Sequence, residues 1–309
     1  MAELEKPAEN LHAPKYWGTW LGLGILRVLG RLSLKNQVRV GTVIGHLGYW
    51  LIARRRKITK VNIRLCFPEL DANEQKKLAK DCVVQNAIGL IETARAWFAD
   101  PATIDAEMEV VGFENVQQAL EQGRGLLVIG GHYSTLDIGC LITSRLLDEF
   151  YGMYRPQKNA LMDKTMRESR LRLGKIIDRR DMRTIVRALK GGKFVWYAPD
   201  QDYGPEVSVF APFFGVQAAT IKTTTKLAQI NDSPVLITSY HRKMDNSGYV
   251  MRFGPVLKDF PTGDEVEDAS RINHELEKEI RKYPAQYMWV HRRFKTRPLG
   301  EERLYPRSK

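Results

Sequence analysis

The sequence predicts an α/β domain, a central mainly parallel or mixed sheet flanked by helices, preceded by an apolar N-terminal helix that anchors it to a membrane. Three observations predict this. Residues 126–129 (LLVI) form a wholly apolar run that Gly130 and Gly131 stop, with His132 directly behind, the pattern of a buried strand ending at a polar turn. Beyond Asp148, short apolar runs alternate with helical patterns, as in βαβ units. Polar clusters follow three of the expected strands, at His132 to Asp137, at Arg155-Pro156 and at Pro199 to Pro205, so they should converge at one edge of the sheet.

In chain order, the first fifteen residues are polar and contain Pro7 and Pro14. Residues 16–26 (YWGTWLGLGIL) are apolar, with Trp17 and Trp20 near the start and Arg27 and Arg31 just beyond. A spanning helix wants about 20 predominantly apolar residues, which this segment reaches only with its arginines snorkelling to an interface. Aromatic residues on a glycine-rich helix fit a membrane anchor better than a core helix, so 1–35 is read as an anchor region and 36–309 as the globular domain. No small-residue cleavage pattern follows a positively charged start, so a removed secretory signal is not expected. A second apolar stretch, 38–53, runs into Arg54, Arg55, Arg56, Lys57 and Lys60. Basic residues beside an apolar helix suit an anionic leaflet; the alternative is an ordinary solvated face.

Residues 62–100 read as helical with a break at 66–70 (CFPEL), and Asp71 with Glu74 three residues on makes a capping box for the second half. A strand at 108–113 and a helix at 115–122 precede the central run. Strands are then expected at 150–154, 175–177 and 194–198, with helices at 160–173 and 182–189 between them. Residues 210–215 are apolar and bent by Pro212, 220–230 read as a helix, 234–240 and 249–253 as late strands, and 269–281 as an amphipathic helix.

The net charge of +12, from 48 Lys and Arg against 36 Asp and Glu, implies an anionic partner: nucleic acid, anionic lipid or an acidic carrier protein. No zinc-finger spacing and no aromatic RNA-binding block is present, which weighs against nucleic acid. Cys66, Cys82 and Cys140 lack CxxC spacing, which suggests a reducing compartment and no disulfide framework. The six histidines are scattered without metal-ligand spacing, so no metal site is expected.

The chemistry turns on His132 and Asp137. Residues five apart on an ideal helix stand about 140° around the axis from each other, so pairing requires His132 before a helix and Asp137 in its first turns, with Ser134 or Thr135 as cap. The carboxylate would then hold one ring nitrogen and leave the other to take a proton; the competing reading is a loop histidine beside a helix-start acid. No GxSxG elbow exists, so general base catalysis fits better than a covalent acyl-enzyme. Cys140 is expected to pack on the buried side of that helix. An oxyanion would need donors from the main chain near Gly130 to Tyr133 or from Arg155, although Arg155 could instead pair with Asp200 or Asp202.

With these residues in view, the chain resembles the bacterial late acyltransferases of lipid A biosynthesis, the lauroyl and myristoyl transferases within the wider glycerolipid acyltransferase fold. The likeness runs from Leu11-His12 to Gly22, through the arginine cluster with 62–69 (NIRLCFPE) and 92–98, through 131–137 and Tyr154-Arg155-Pro156, to 195–205 (VWYAPDQDYGP) and 286–298 (QYMWVHRRFKTRP). The resemblance implies a single glycerolipid-acyltransferase-like domain with an HxxxxD pair at His132 and Asp137. It also implies substrate contacts from Arg155, Arg179, Asp200 and Asp202, and membrane contacts from Trp17, Trp20, Arg54, Arg55 and Arg56. It implies further that acyl carrier protein delivers a fatty chain, laurate or slightly longer, to a hydroxyl of a 3-hydroxyacyl group on a Kdo-bearing lipid A precursor. The implied setting is the cytoplasmic face of the inner membrane, with anionic phospholipid as a further partner and no bound cofactor, metal or nucleic acid. Two other readings remain: acylation of glycerol phosphate or a lysophospholipid, and a non-enzymatic basic membrane-surface protein.

Overall fold

The computed structural model describes residues 10–306; residues 1–9 of the expected anchor region and 307–309 of the basic tail lie outside the described residues. Its centre is β2 (Leu126–Gly130), buried along its whole length. β2 pairs in parallel with β8 (Val235–Arg242) on one side and β5 (Phe194–Tyr197) on the other. Hydrogen-bonded at both edges and covered on both faces, such a strand has no solvent side, so its run is continuous and does not alternate. Beyond β5 lie β3 (Phe150–Tyr154) and β4 (Lys175–Asp178); beyond β8 lie β9 (Tyr249–Phe253) and β1 (Met108–Val111). The order is β1-β9-β8-β2-β5-β3-β4, parallel throughout except between β8 and β9.

The connections place the site. Crossovers from β2 through α6 (Leu136–Leu146) to β3, and from β3 through α7 (Ala160–Leu171) to β4, step one way along the sheet. Those through α8 (Met182–Lys190) to β5 and through α9 (Thr223–Asn231) to β8 step back. Right-handed crossovers put the two sets on opposite faces, and α10 (Glu265–Lys282) packs beside α9. The chain therefore leaves the neighbouring strands β2 and β5 toward opposite faces, which opens a crevice at their carboxyl ends. α5 (Phe113–Glu121) links β1 to β2.

Before the sheet stand α1 (Trp17–Leu29), α2 (Leu34–Leu51), α3 (Ala53–Cys66) and α4 (Ala72–Phe98). The capping box forms as expected: Asp71 accepts from the main-chain N–H groups of Asn73 and Glu74, and Glu74 accepts from that of Asp71, an arrangement worth about 1 kcal/mol.

The expected membrane-anchoring N-terminal helix is corrected by the structure. α1 ends after 13 residues at Gly30, roughly 20 Å of helix, and α2 carries Lys35 and Arg39. Among the described residues no helix is long and apolar enough to cross a membrane. Tyr16 and Leu23 pack with Leu161 of α7. In α2 a Cβ on Gly41 or Gly45 would meet the backbone of Ile88 or Val84 of α4 at 2.7 and 2.6 Å, so these glycines serve a helix contact. The N-terminal anchor read from the sequence, with the location derived from it, is corrected by this lack of a helix able to cross a membrane among the described residues.

A second difference lies at 208–221. The expected bent segment and the start of the expected helix form an antiparallel hairpin, β6 (Ser208–Phe213) with β7 (Val216–Ile221), and α9 starts later at Thr223. Phe214 and Gly215 turn it with φ of 51° and 74°.

Candidate active site

Four parallel strands deliver the expected residues to one edge of the sheet. β2 leads to His132, β5 to Asp200 and Asp202, β3 to Arg155 and β4 to Arg179. His132 precedes α6 and Asp137 lies in its first turn, as the spacing requires.

The carboxylate that holds the imidazole belongs to Asp200. Its Oδ1 lies 2.5 Å from His132 Nδ1, and its Oδ2 accepts from the His132 main-chain N–H at 2.7 Å and from the Tyr287 hydroxyl at 2.8 Å. Burial pushes the Asp200 carboxyl up, but the His132 ring, its N–H and the Tyr287 hydroxyl outweigh that and hold it down at about 2. An ionised acceptor at Nδ1 puts the ring proton there and leaves Nε2 as a bare acceptor. Among the described residues Nε2 has no hydrogen-bond partner, and the side chain is 23% exposed against 1% for Asp200.

The expected His132–Asp137 pair is therefore corrected. Asp137 accepts from Trp97 Nε1 at 3.0 Å and from Arg170 Nε and Nη2 at 2.8 and 3.1 Å. It joins α6 to α4 and α7. Spacing fixed its place on the helix but not its direction, which Arg170 and Trp97 decide. The expected caps differ as well: Thr135 Oγ1 donates to the Tyr240 carbonyl at 2.7 Å, and Ser134 Oγ is buried without a partner.

Arg155 is exposed and makes no ion pair among the described residues, so it does not bind Asp200 or Asp202. Its turn is fixed by Asp163, which accepts from the Tyr154 hydroxyl and the Gln157 N–H. Arg179 lies over the Tyr203 ring at 5.5 Å. Asp202 is buried and engaged, accepting from Thr296 N at 2.6 Å and Oγ1 at 2.9 Å and from Gly204 N at 3.0 Å. It ties the loop after β5 to the C-terminal segment and does not face the cleft. The Trp17 and Trp20 indoles donate to the carbonyls of His12 and Leu11, Arg55 donates to the Val290 carbonyl, and Arg56 lies over Tyr49 and Trp50. Arg54 is exposed.

A model of the bacterial lipid A biosynthesis acyltransferase family matches residues 4–296. The chain belongs to this family. It is 40% identical over 299 residues to the lipid A biosynthesis palmitoleoyltransferase of Escherichia coli strain K12, covering 96% of this chain and 97% of the relative. The lipid A biosynthesis lauroyltransferase of the same organism is 39% identical over 307 residues, 99% of this chain and all of the relative. The myristoyltransferase is 26% identical over 308 residues, covering 97% and 94%. The protein is accordingly an enzyme, an acyltransferase of the lipid A type.

Several residues that meet His132, Asp137 and Asp200 escaped the sequence reading. Tyr287 and His291 lie in the terminal block, whose main chain pairs with the histidine loop through Ser134 N to Gln286 O and Met288 N to His132 O. The His291 ring lies 5.9 Å from that of His132, and Gln201 Nε2 is 3.3 Å from His291 Nε2. The block was visible as a resemblance, but no pattern marked which of its side chains turn inward; Trp97 fell within the resembling stretch 92–98 with nothing to mark its bond to Asp137, and Arg170 carried no signal.

A narrow apolar crevice lies between α6 and the sheet, lined by Leu136, Cys140, Phe150, Gly152, Met153 and Trp196, with Arg170 among its walls. Cys140 is only half-buried and lines this crevice. Burial, reinforced by Asp137, pushes its thiol up to about 12, so it is no thiolate nucleophile at neutral pH. No cluster of metal-ligating side chains occurs among the described residues.

Proposed function

We propose that the acyltransferase moves a fatty acyl group, laurate or slightly longer, from acyl carrier protein to a hydroxyl of a 3-hydroxyacyl chain on a Kdo-bearing lipid A precursor. His132 is the general base. The observation that carries this reading is the His132–Asp200 contact, with Nδ1 held by a buried carboxylate and Nε2 open at the crevice between β2 and β5.

His132 Nε2 draws the proton from the acceptor hydroxyl as its oxygen attacks the thioester carbonyl, and Asp200 fixes the tautomer and stabilises the charged ring. The adduct collapses with expulsion of the phosphopantetheine thiolate, which takes the proton back from Nε2. Asp137 acts one step removed, through the clamp on Arg170. Exposed Arg155 and half-buried Arg179 on the same edge suit the phosphates of the glycolipid or of the carrier's prosthetic group. The net charge of +12 suits an acidic carrier. The apolar crevice beside α6 suits a fatty tail.

The laurate preference is supported by the blocks at 195–205 and 286–298. A palmitoleoyl donor is the second reading, favoured by the equally similar palmitoleoyltransferase. Mass spectrometry of a lipid A precursor incubated with mixed acyl carrier protein thioesters tests both. One added acyl group, with laurate preferred, is expected. Acylation of glycerol phosphate or lysophospholipid in place of the precursor would overturn the acceptor, and preference for palmitoleate would overturn the chain length.

A further inference from the structure

The site as described contains a base but no obvious partner for the oxygen that becomes negative. The main-chain N–H groups nearest the base are engaged: that of His132 donates to Asp200, that of Tyr133 to the Gly131 carbonyl and that of Ser134 to the Gln286 carbonyl. Three consecutive N–H groups beside the base are thus already engaged and not free to meet an oxyanion. Across from them stands His291, its ring inclined 60° to that of His132 with centroids 5.9 Å apart.

Gln201 Nε2 stands 3.3 Å from His291 Nε2. With the amide N–H donating there, the ring proton sits on Nδ1. Nδ1 has no partner among the described residues and is not sealed from solvent. Asn62 holds the backbone on which the ring is mounted, donating from Nδ2 to the carbonyls of Trp289 and His291, both at 2.7 Å. One neutral imidazole with a bare acceptor and a second with a free N–H therefore stand side by side in the cleft.

We propose that His291 is a catalytic residue whose Nδ1–H donates a hydrogen bond to the thioester carbonyl oxygen as it becomes an oxyanion. The proposal rests on the acyl-transfer reading. The acceptor oxygen bonds to the carbonyl carbon, its proton passes to His132 Nε2, and the carbonyl π pair moves onto oxygen facing His291 Nδ1–H. When that pair returns, the C–S bond breaks and the thiolate takes the proton from His132; His291 keeps its own proton throughout. Burial, with the His132 charge behind it, holds the His291 ring down at about 4, so the group stays neutral while His132 cycles.

The test uses the full chain with acyl carrier protein thioester and lipid A precursor. His291→Ala and His291→Phe, the latter ring-sized but without a donor, should lower kcat by about 100-fold or more, as loss of one oxyanion donor does. KM for either substrate should stay within about threefold. His291→Asn, whose amide N–H can stand near the position of Nδ1–H, should recover kcat to within about tenfold of the parent, and all three should melt close to the parent. A kcat for His291→Phe within about threefold of the parent, or no recovery in a folded His291→Asn, overturns the proposal. If the parent itself transfers no acyl group, the reading beneath it falls as well. A parent activity lost in His132→Ala but kept in His291→Phe removes the His291 assignment alone.

Discussion

Asp200 grips His132 at two points, accepting from its main-chain N–H at 2.7 Å and contacting Nδ1 at 2.5 Å. The two residues are 68 positions apart and meet only because β2 and β5 are neighbours whose connections leave toward opposite faces. Asp200→Asn keeps the shape but presents an amide where the ring needs an anion. Its kcat should fall by about 10³- to 10⁴-fold, with a lower urea midpoint above pH 5, where the ionised carboxylate contributes its stabilisation. Retention of more than a tenth of the parent kcat would remove Asp200 from the mechanism.

Asp137 should behave differently. Its carboxylate is buried between Arg170 and Trp97, so Asp137→Ala strands a mostly covered guanidinium and an indole N–H and should cost about 3 kcal/mol of stability. Urea unfolding checks this. A variant as stable as the parent yet inactive would return Asp137 to direct chemistry.

Tyr287 donates to the oxygen of Asp200 that does not face the ring. Removing that bond in Tyr287→Phe leaves more negative charge on Oδ1 and favours the protonated pair. The acid limb of kcat/KM should move to higher pH by about half a unit or less. A limb that stays in place or moves down contradicts this role.

Stability should fall as pH drops from 6.5 toward 4. Burial holds the His241 ring at about 3 and the His291 ring at about 4, below the unfolded value of about 6.5. In that window the unfolded chain binds more protons, so stability rises with pH. Asp200 acts lower: its stabilisation is complete above its unfolded value of about 3.9 and is lost as pH falls to about 2. Both His241 ring nitrogens are buried without partners, between Tyr133 and Tyr283. His241→Phe should flatten the slope by about 1.4 kcal/mol per pH unit and leave the protein at least as stable at pH 7. Urea midpoints across this range decide it.

Arg242 and Glu92 form a salt bridge at 2.8 Å that is almost wholly buried, with Gln85 and Asn246 also bound to the guanidinium. Arg242→Met should destabilise by about 3–5 kcal/mol, and adding Glu92→Leu should restore part of it. No recovery in the double variant would show that the loss comes from other bonds of Arg242.

What could be read from the sequence was what local chemistry determines. The LLVI run and its glycines mark β2 and put His132 at a strand end, and Asp71 with Glu74 caps α4 as read. The acid on His132 was misread because strand order, not spacing, chooses it. The hairpin at 208–221 was hidden by a Phe-Gly turn in place of the usual Asn-Gly or Asp-Gly. The anchor was misread because the apolar, glycine-rich run behind Trp17 and Trp20 carries no mark of its length, and α1 ends after 13 residues at Gly30.

The most direct test of the central claim is the single-turnover rate of His132→Ala with acyl carrier protein thioester and lipid A precursor, alongside its melting curve. A folded variant slower by about 10⁴-fold or more is predicted. A folded variant within about tenfold of the parent would contradict the assignment of His132 as the base.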